Sequence, residues 1–202
     1  MRKIRISIAL ALIVSFLVSV ASFEKTCDEI RENVLRLHVV ASSDSASDQS
    51  LKLKIRDAVL EEGGNIFDGS VDIKSAEEKI KPCLSDIKKT AQRVASENGF
   101  DYDVSVTLKR ELFPTRTYEN VTLPSGKYLA LRIVIGEGKG HNWWCVMFPA
   151  LCLPAAKKNT EICDVLSESG TKLVYKNPKY EPRFKIVEVI ERIKNGEFAV
   201  GR

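Results

Sequence analysis

A cysteine lies close to a possible catalytic base in this sequence. Cys145 falls in the same five-residue segment as His141 and Asn142, which supplies the residue types of a thiol nucleophile and its base. Thiol hydrolases bring cysteine and histidine together from distant segments, so such a local grouping favours a disulfide or buried cysteine. Cysteine-type hydrolysis at Cys145 is kept as an alternative.

A second possible catalytic group follows an apolar strand. Asp44, Ser45 and Ala46 match the Asp-Ser/Thr-Gly/Ala loop of aspartic peptidases, in which two aspartates share one proton. Only one such loop is present, so a second copy of the chain would have to supply the other aspartate. A helix-capping turn explains Asp44 equally well. An exported hydrolase using Asp44 or Cys145 is therefore the alternative function.

Cofactor and metal sites have little support. Gly136, Gly138 and Gly140 surround Lys139, but the Lys-Ser/Thr pair of a phosphate loop is missing, and glycines after a strand more often permit positive φ in a turn. The chain has two histidines and no C-x-x-C pair. We expect no cofactor and no metal site.

The N-terminus has the build of an export signal. Arg2, Lys3 and Arg5 precede the apolar segment 6–20, and cleavage after Ala21, or one residue later, is favoured over an uncleaved anchor. We predict a signal peptide or membrane anchor at 1–22 and a single α+β signalling domain at 23–202. Removing the three basic residues lowers the positive count from 31 to 28 against 27 acidic residues, and the net charge from +4 to +1. Such a domain has no charge pattern for nucleic acid, and we expect membrane contact only through the signal or anchor.

Periodicity then predicts a strand and a helix. Residues 34–41 alternate as a strand, and Ser45 with Asp48 can cap a helix after the polar turn. We expect the Gly63-Gly64 pair to end that helix. Its apolar stripe is Leu51, Ile55 and Val59. The charged residues predicted to face solvent are Asp48, Lys52, Arg56 and Asp57.

A second helix and further strands follow. Ser75 with Glu78 predicts a capping box, and alternation predicts strands over 102–109, 127–135 and 144–148. A terminal helix is indicated by Ile186, Ile190 and Ile193, closed by Asn195 and Gly196. This order predicts an α+β fold with helices packed on one face of a mixed β-sheet, preceded by the N-terminal export signal.

Trp143 and Trp144 are the only tryptophans. Adjacent side chains in a strand point to opposite faces, so we expect one to be buried and the other to be available to a partner, although both in the core is an open alternative. If 145 pairs with 152, 146 with 151 and 147 with 150 in a hairpin, Phe148 and Pro149 form a two-residue turn. Proline at that turn position can require a cis Phe148–Pro149 bond. This predicts a Cys145–Cys152 disulfide, with two buried free thiols as the alternative.

Two long segments resemble a known family. RLHVVASSDSASDQSLKLKIRDAVL at 36–60 and GEGKGHNWWCVMFPALC at 136–152 are similar to the stage II sporulation protein R family of endospore-forming bacteria, as are shorter matches at 113–116 and 123–128. Ser42 and Ala150 depart from its usual Asn and Pro.

The resemblance implies a non-enzymatic signal exported from the forespore into the intermembrane space. Its partner would be the membrane-embedded sigma-E-processing peptidase of the mother cell, which cleaves pro-sigma-E. Partner-binding residues are nominated from position and chemistry alone: Asp44, Asp48, Gln49, Lys52, Lys54, Arg56, Asp57, Trp143 and Trp144.

Overall fold

A computed structural model describes residues 2–149, 151, 161–175 and 181–194. The elements, in chain order, are α1 (Arg2–Glu32), β1 (Leu35–Val40), α2 (Ala46–Ile66), α3 (Ile73–Glu97), β2 (Val104–Phe113), β3 (Arg116–Tyr118), β4 (Val121–Leu123), β5 (Gly126–Ile135), β6 (Asn142–Phe148), α4 (Ile162–Val165), α5 (Glu168–Val174) and α6 (Glu181–Lys194).

Helix α1 joins an apolar segment to the folded domain without a break. Its N-terminal part is exposed, and the helix is long and apolar enough to cross a membrane, which fits a signal sequence or an anchor. In its last turns Cys27 and Ile30 are fully buried. The Arg31 guanidinium donates from Nε and Nη2 to the Ser125 carbonyl at 2.9 and 2.7 Å. Helix α1 thus consists of an exposed apolar part and a C-terminal part that belongs to the core.

The main sheet is mixed, as predicted. Its strand order is β2-β5-β1-β6, with β1 parallel to β5 and antiparallel to β6, and β2 antiparallel to β5. Ser105, Thr107 and Lys109 on β2 are exposed, whereas β5 is mostly buried. β3 and β4 form a separate two-stranded hairpin.

Helices α2 and α3 pack on one face of this sheet, α2 through its predicted stripe. Leu51, Ile55 and Val59 of α2 meet Ile80 and Ile87 of α3 in one core cluster. The Ser45 Oγ accepts from the Asp48 amide at 3.1 Å, so the predicted N-cap of α2 is confirmed.

Two predicted features of the helices are wrong. Helix α2 runs through Gly63 to Ile66, because Gly63 is buried against the Met147 side chain of β6 and tertiary packing holds the helix through the glycine pair. The N-cap of α3 is Asp72, with Ser75 as its capping-box partner, in place of Ser75 with Glu78. The predicted terminal helix is confirmed as α6, in which Phe184 and Val187 are buried while Ile186 and Ile193 are exposed. Asn195 and Gly196 lie outside the described residues.

The opposite face of the sheet is buried as well. The end of α1, the β3–β4 hairpin and the C-terminal helices cover it with a second cluster that includes Phe113, Tyr128 and Val146. A ring contact of 5.9 Å between Phe23 and Phe184 joins α1 to α6.

Candidate functional site

Two loops meet where β1 ends and β6 begins. The Lys139 and Gly140 amides donate to the Ser42 and Ala41 carbonyls at 3.1 and 2.9 Å. A side chain at Gly140 would lie 2.2 Å from the Ser43 carbonyl oxygen, and Gly136 and Gly138 have positive φ. The glycine-rich loop therefore works as a tight structural turn against the polar turn after β1.

Asp44 forms the exposed edge of this junction. Its Oδ1 accepts from the His141 amide at 2.6 Å and contacts the His141 Nδ1. The His141 backbone hydrogen bond holds the pKa of Asp44 below its usual value. The carboxylate thus stays ionised and serves as a loop-bridging acceptor.

Asp48 is buried, which corrects its predicted solvent-facing position. Its side chain is 4% exposed and accepts from the Ser43 hydroxyl at 2.5 Å and the Tyr102 hydroxyl at 3.1 Å. The reason is that the polar turn folds back over the first turn of α2, so Asp48 braces the turn.

Lys52 is also buried, at 4% exposure, so its predicted place on a solvent face is wrong. Its Nζ donates to the Gln49 Oε1 at 2.5 Å and to the His141 carbonyl at 3.0 Å. Burial lowers the pKa of the ammonium group. The β5–β6 loop covers this helix face, and Lys52 ties the loop to α2.

Arg56 and Trp143 come together across α2 and β6. The guanidinium lies 4.3 Å from the centre of the Trp143 ring and pairs with Asp57 at 2.7 Å. We call the adjoining side chains of Asp44, Gln49, Arg56, His141 and Trp143 the α2–β6 patch. Six nominated residues thus belong to the patch or support it: Asp44, Asp48, Gln49, Lys52, Arg56 and Trp143.

Other nominated residues lie apart from the patch or at its rim. Lys54 is exposed and donates to the Asn98 side chain at the end of α3. Asp57 is exposed and touches the patch through Arg56. Trp144 lies on the opposite sheet face, under the Arg116 guanidinium at 4.3 Å. Both tryptophans are half-buried, with an arginine guanidinium over one side of each ring. The expectation that one ring is buried is therefore wrong.

Sequence reasoning missed a polar network beside Trp144. The His38 Nδ1 lies 2.8 Å from the Glu111 carboxylate, and its Nε2 lies 2.8 Å from the Asn142 Oδ1. The ring stacks on Trp144 with centroids 5.9 Å apart. The hydrogen bond from His38 helps to hold the pKa of Glu111 low despite burial. The sequence feature that could have indicated this network is the presence of Arg36 and His38 at alternate positions of β1.

Arg36 is the other feature that the pattern did not predict. It is fully buried, with its guanidinium 4.1 Å from the Phe113 ring centre and 4.9 Å from that of Tyr128, and it contacts the Tyr118 hydroxyl. Aromatic faces therefore surround this cation, and within the described part of the chain it forms no ion pair.

The cysteines argue against thiol chemistry at the candidate position. Cys145 is buried and disulfide-bonded, whereas Cys27, Cys83 and Cys163 are free thiols. Cys152 lies outside the described residues, so the Cys145–Cys152 pairing stays a prediction. The Phe148–Pro149 bond is cis, as the sequence analysis anticipated.

Within the described residues, no group of three or more His, Cys, Asp or Glu side chains could hold a metal ion.

A family model described as Stage II sporulation protein R (spore_II_R) matches residues 31–158. The chain belongs to the stage II sporulation protein R family. The match contains β1 to β6 and all of the α2–β6 patch, while α4 to α6 lie beyond it.

A curated relative supports the assignment. The Stage II sporulation protein R of Bacillus subtilis (strain 168) is 40% identical over 123 residues, which are 61% of this chain and 55% of that protein. The chain thus spans about half the length of this family member. No solved structure matches this chain.

Proposed function

We propose that this family member is a signalling protein exported from the forespore into the intermembrane space. There it activates the membrane-embedded sigma-E-processing peptidase of the mother cell, which cleaves pro-sigma-E, and it performs no catalysis itself. The family match across residues 31–158 is the observation that carries the proposal. The apolar N-terminal part of α1 supports export.

The α2–β6 patch is the proposed contact surface for the peptidase. Arginine and tryptophan are enriched among the residues that dominate binding energies, and here Arg56 stacks on a half-exposed Trp143. Asp44 and His141 form a polar edge beside them, with 55% and 76% of their side chains exposed. Lys52 and Asp48 hold the two loops beneath this surface, so the patch is pre-organised for a partner.

The hydrolase alternative loses support at both candidate groups. Asp44 has a structural role that accounts for its position, since its Oδ1 accepts from the His141 amide at 2.6 Å and joins the two loops. A thiol nucleophile needs a free thiolate, but Cys145 is disulfide-bonded. Docking therefore explains these residues better than hydrolysis does.

Reconstitution tests the proposal. The full-length chain, the peptidase and pro-sigma-E are produced together in a bacterium that does not sporulate, and the size of pro-sigma-E is followed by immunoblot. We expect cleavage only when the chain is present, and reduced cleavage when Arg56→Ala and Trp143→Ala are combined. Lys54→Ala, an exposed change on the same helix but outside the patch, is the matched control. Equal cleavage without the chain contradicts the proposal.

A further inference from the structure

A row of side chains crosses all four strands of the main sheet on the face opposite α2 and α3. Thr107 of β2 lies beside Arg132 of β5. Arg132 lies beside His38 of β1, which in turn lies beside Trp144 of β6. The second core cluster covers the neighbouring part of this face, but Thr107 is exposed and the other three side chains are partly exposed. This part of the sheet face is therefore open to a partner.

One carboxylate lies in the open part of the face, and three groups compensate it. The Glu111 carboxylate lies 2.8 Å from the His38 Nδ1 and 3.2 Å from the Lys109 Nζ. The Arg132 Nε lies 3.5 Å from the same carboxylate. Glu111 is only 14% exposed, whereas Lys109 and Arg132 keep 48% and 33% of their side chains exposed. Solvent therefore meets the two cations more than the carboxylate between them.

Arg116 adds a third cation at the other end of the row. It is exposed, its guanidinium lies 4.3 Å from the Trp144 ring centre, and it forms no ion pair within the described part of the chain. Three cations and one carboxylate give this surface a formal charge of +2, with the histidine counted as neutral. We call it the basic face, which consists of His38, Lys109, Glu111, Arg116, Arg132 and Trp144.

We propose that the basic face binds an extended acidic segment of a partner protein. The outer strands β2 and β6 lie three strand spacings apart, or about 14 Å. In an extended chain, alternate side chains point the same way and repeat about every 6.6 Å, so three alternate carboxylates span about 13 Å. Such a segment can reach Lys109 and Arg132 at one end and Arg116 at the other. The inference is independent of the α2–β6 patch, which lies on the opposite face of the sheet.

The charge pattern favours a protein segment over an anionic membrane. Anionic bilayers are typically recognised by clusters of about four to eight basic residues. The basic face has three cations, spread across the sheet on both sides of a half-buried tryptophan. Arginine and tryptophan together are typical of protein contacts, in which the aromatic ring supplies apolar surface between the charges.

Titration of the full-length protein in non-ionic detergent tests this inference. The probe is a blocked pentapeptide with glutamate at its first, third and fifth positions and threonine between them. The two indole N–H signals are followed by ¹H–¹⁵N NMR, so that Trp143 on the opposite sheet face serves as an internal reference. We expect a saturable shift of the Trp144 signal that weakens at high salt, with little change at Trp143. The glutamine version of the peptide, and inorganic phosphate, should cause no comparable shift.

Paired variants locate the binding charges. Combining Lys109→Gln with Arg116→Gln removes the net charge of the basic face and should weaken binding about fivefold or more. The matched control combines Arg93→Gln with Lys127→Gln, which removes two exposed cations from α3 and from the start of β5, outside the basic face. The control should bind as the unmodified protein does.

Thermal melting checks that the variants fold. Both pairs should melt close to the unmodified protein, because exposed charges contribute little to stability. Lys109→Gln alone leaves the Arg116 contact with Trp144 intact and should still weaken binding about twofold or more. Equal shifts with phosphate or the glutamine peptide, equal weakening in the control pair, or unchanged affinity in folded Lys109→Gln protein would overturn the inference.

Discussion

Arg56 joins two structural roles at one residue. Its guanidinium covers one face of Trp143 at 4.3 Å while pairing with Asp57, and 19% of its side chain stays exposed. A cation–π contact near the surface contributes about 0.5–1 kcal/mol, and an exposed ion pair adds little. The stack therefore orients Trp143 more than it stabilises the domain.

Arg56→Ala should consequently lower the free energy of unfolding by no more than about 1 kcal/mol while clearly reducing peptidase activation. Chemical denaturation and the cleavage assay measure the two effects on the same protein. Arg56→Lys keeps the charge but loses the planar guanidinium. Its peptidase activation should lie between that of the unmodified protein and that of Arg56→Ala. Full activation by a folded Arg56→Ala, Trp143→Ala protein would place the contact surface elsewhere.

Asp44 offers a test by pH as well as by mutation. Its folded-state pKa lies below the usual value because the His141 amide donates to it, so its stabilising effect is present above the unfolded pKa near 3.8. That effect is lost as the pH falls through the lower folded-state pKa. The stability difference between the unmodified protein and Asp44→Asn should therefore shrink to nothing in strong acid.

The same substitution separates docking from hydrolysis. Asparagine keeps an oxygen that can accept from the His141 amide, so Asp44→Asn should retain the fold and much of the activation. Asp44→Ala removes the acceptor and should reduce activation further. Complete loss of activity in a well-folded Asp44→Asn protein would instead support an aspartic-type hydrolase.

At the scale of elements, Lys52 connects α2 to the β5–β6 loop. Its hydrogen bonds to Gln49 and His141 favour the folded state by roughly 1.5–3 kcal/mol, while burial of its charge opposes this, as its lowered pKa indicates. We expect Lys52→Met to change global stability by less than about 1 kcal/mol, because these effects offset each other.

The loop should respond much more strongly than the global fold. Amide hydrogen exchange in residues 136–143 should speed up in Lys52→Met, and peptidase activation should fall. Lys54→Met, on the exposed side of the same helix, is the matched control and should change neither measurement. Unchanged exchange in Lys52→Met would show that the loop does not depend on this tie.

The predicted disulfide belongs to the end of β6. Joining Cys145 to Cys152 closes an eight-residue ring, worth about 2.5 kcal/mol in the chain-entropy model. Peptide mapping of the unreduced protein should recover these two cysteines in one linked fragment. Replacing both cysteines should reduce activation more than Cys27→Ala does, because Cys145 follows the two tryptophans directly. An alkylatable Cys145 in active protein would refute the bond.

Local patterns predicted most of the elements, and distant contacts account for the errors. The stripe of Leu51, Ile55 and Val59, and the cap at Ser45, depend only on neighbours along the chain. Lys52 looked solvated because the loop that covers it arrives 89 residues later, at His141.

Contacts between residues far apart in the sequence also limited the prediction of the site. Alternation showed that Trp143 and Trp144 face opposite ways, but it could not show that Arg56 and Arg116 cover them. Arg56 lies on α2 and Arg116 on β3, two elements that cover opposite faces of the sheet, so tertiary packing is what brings these cations to the two rings. Sequence therefore nominated most of the patch without predicting which of its residues are buried.

At the scale of the whole molecule, one helix links the apolar N-terminal segment to the core. Residues 2–22 of α1 are exposed apart from the half-buried Val20, whereas Cys27, Ile30 and Arg31 are buried in the domain. The domain therefore needs the last ten residues of this helix, and removal of the apolar part should leave those contacts intact.

We expect the exported protein to begin at Ser22 or Phe23, because Ala21 and Ser22 offer the predicted cleavage positions and the core contacts begin just beyond them. Intact-mass measurement on protein recovered outside the producing membrane gives the N-terminus directly. A chain starting at Ser22 should melt cooperatively, whereas one starting at Glu32 should lose at least about 3 kcal/mol, since it lacks Cys27, Ile30 and the Arg31 bonds to Ser125. Recovery of the full-length chain in the membrane would show that α1 is retained as an anchor, and its recovery in the cytosol would contradict export.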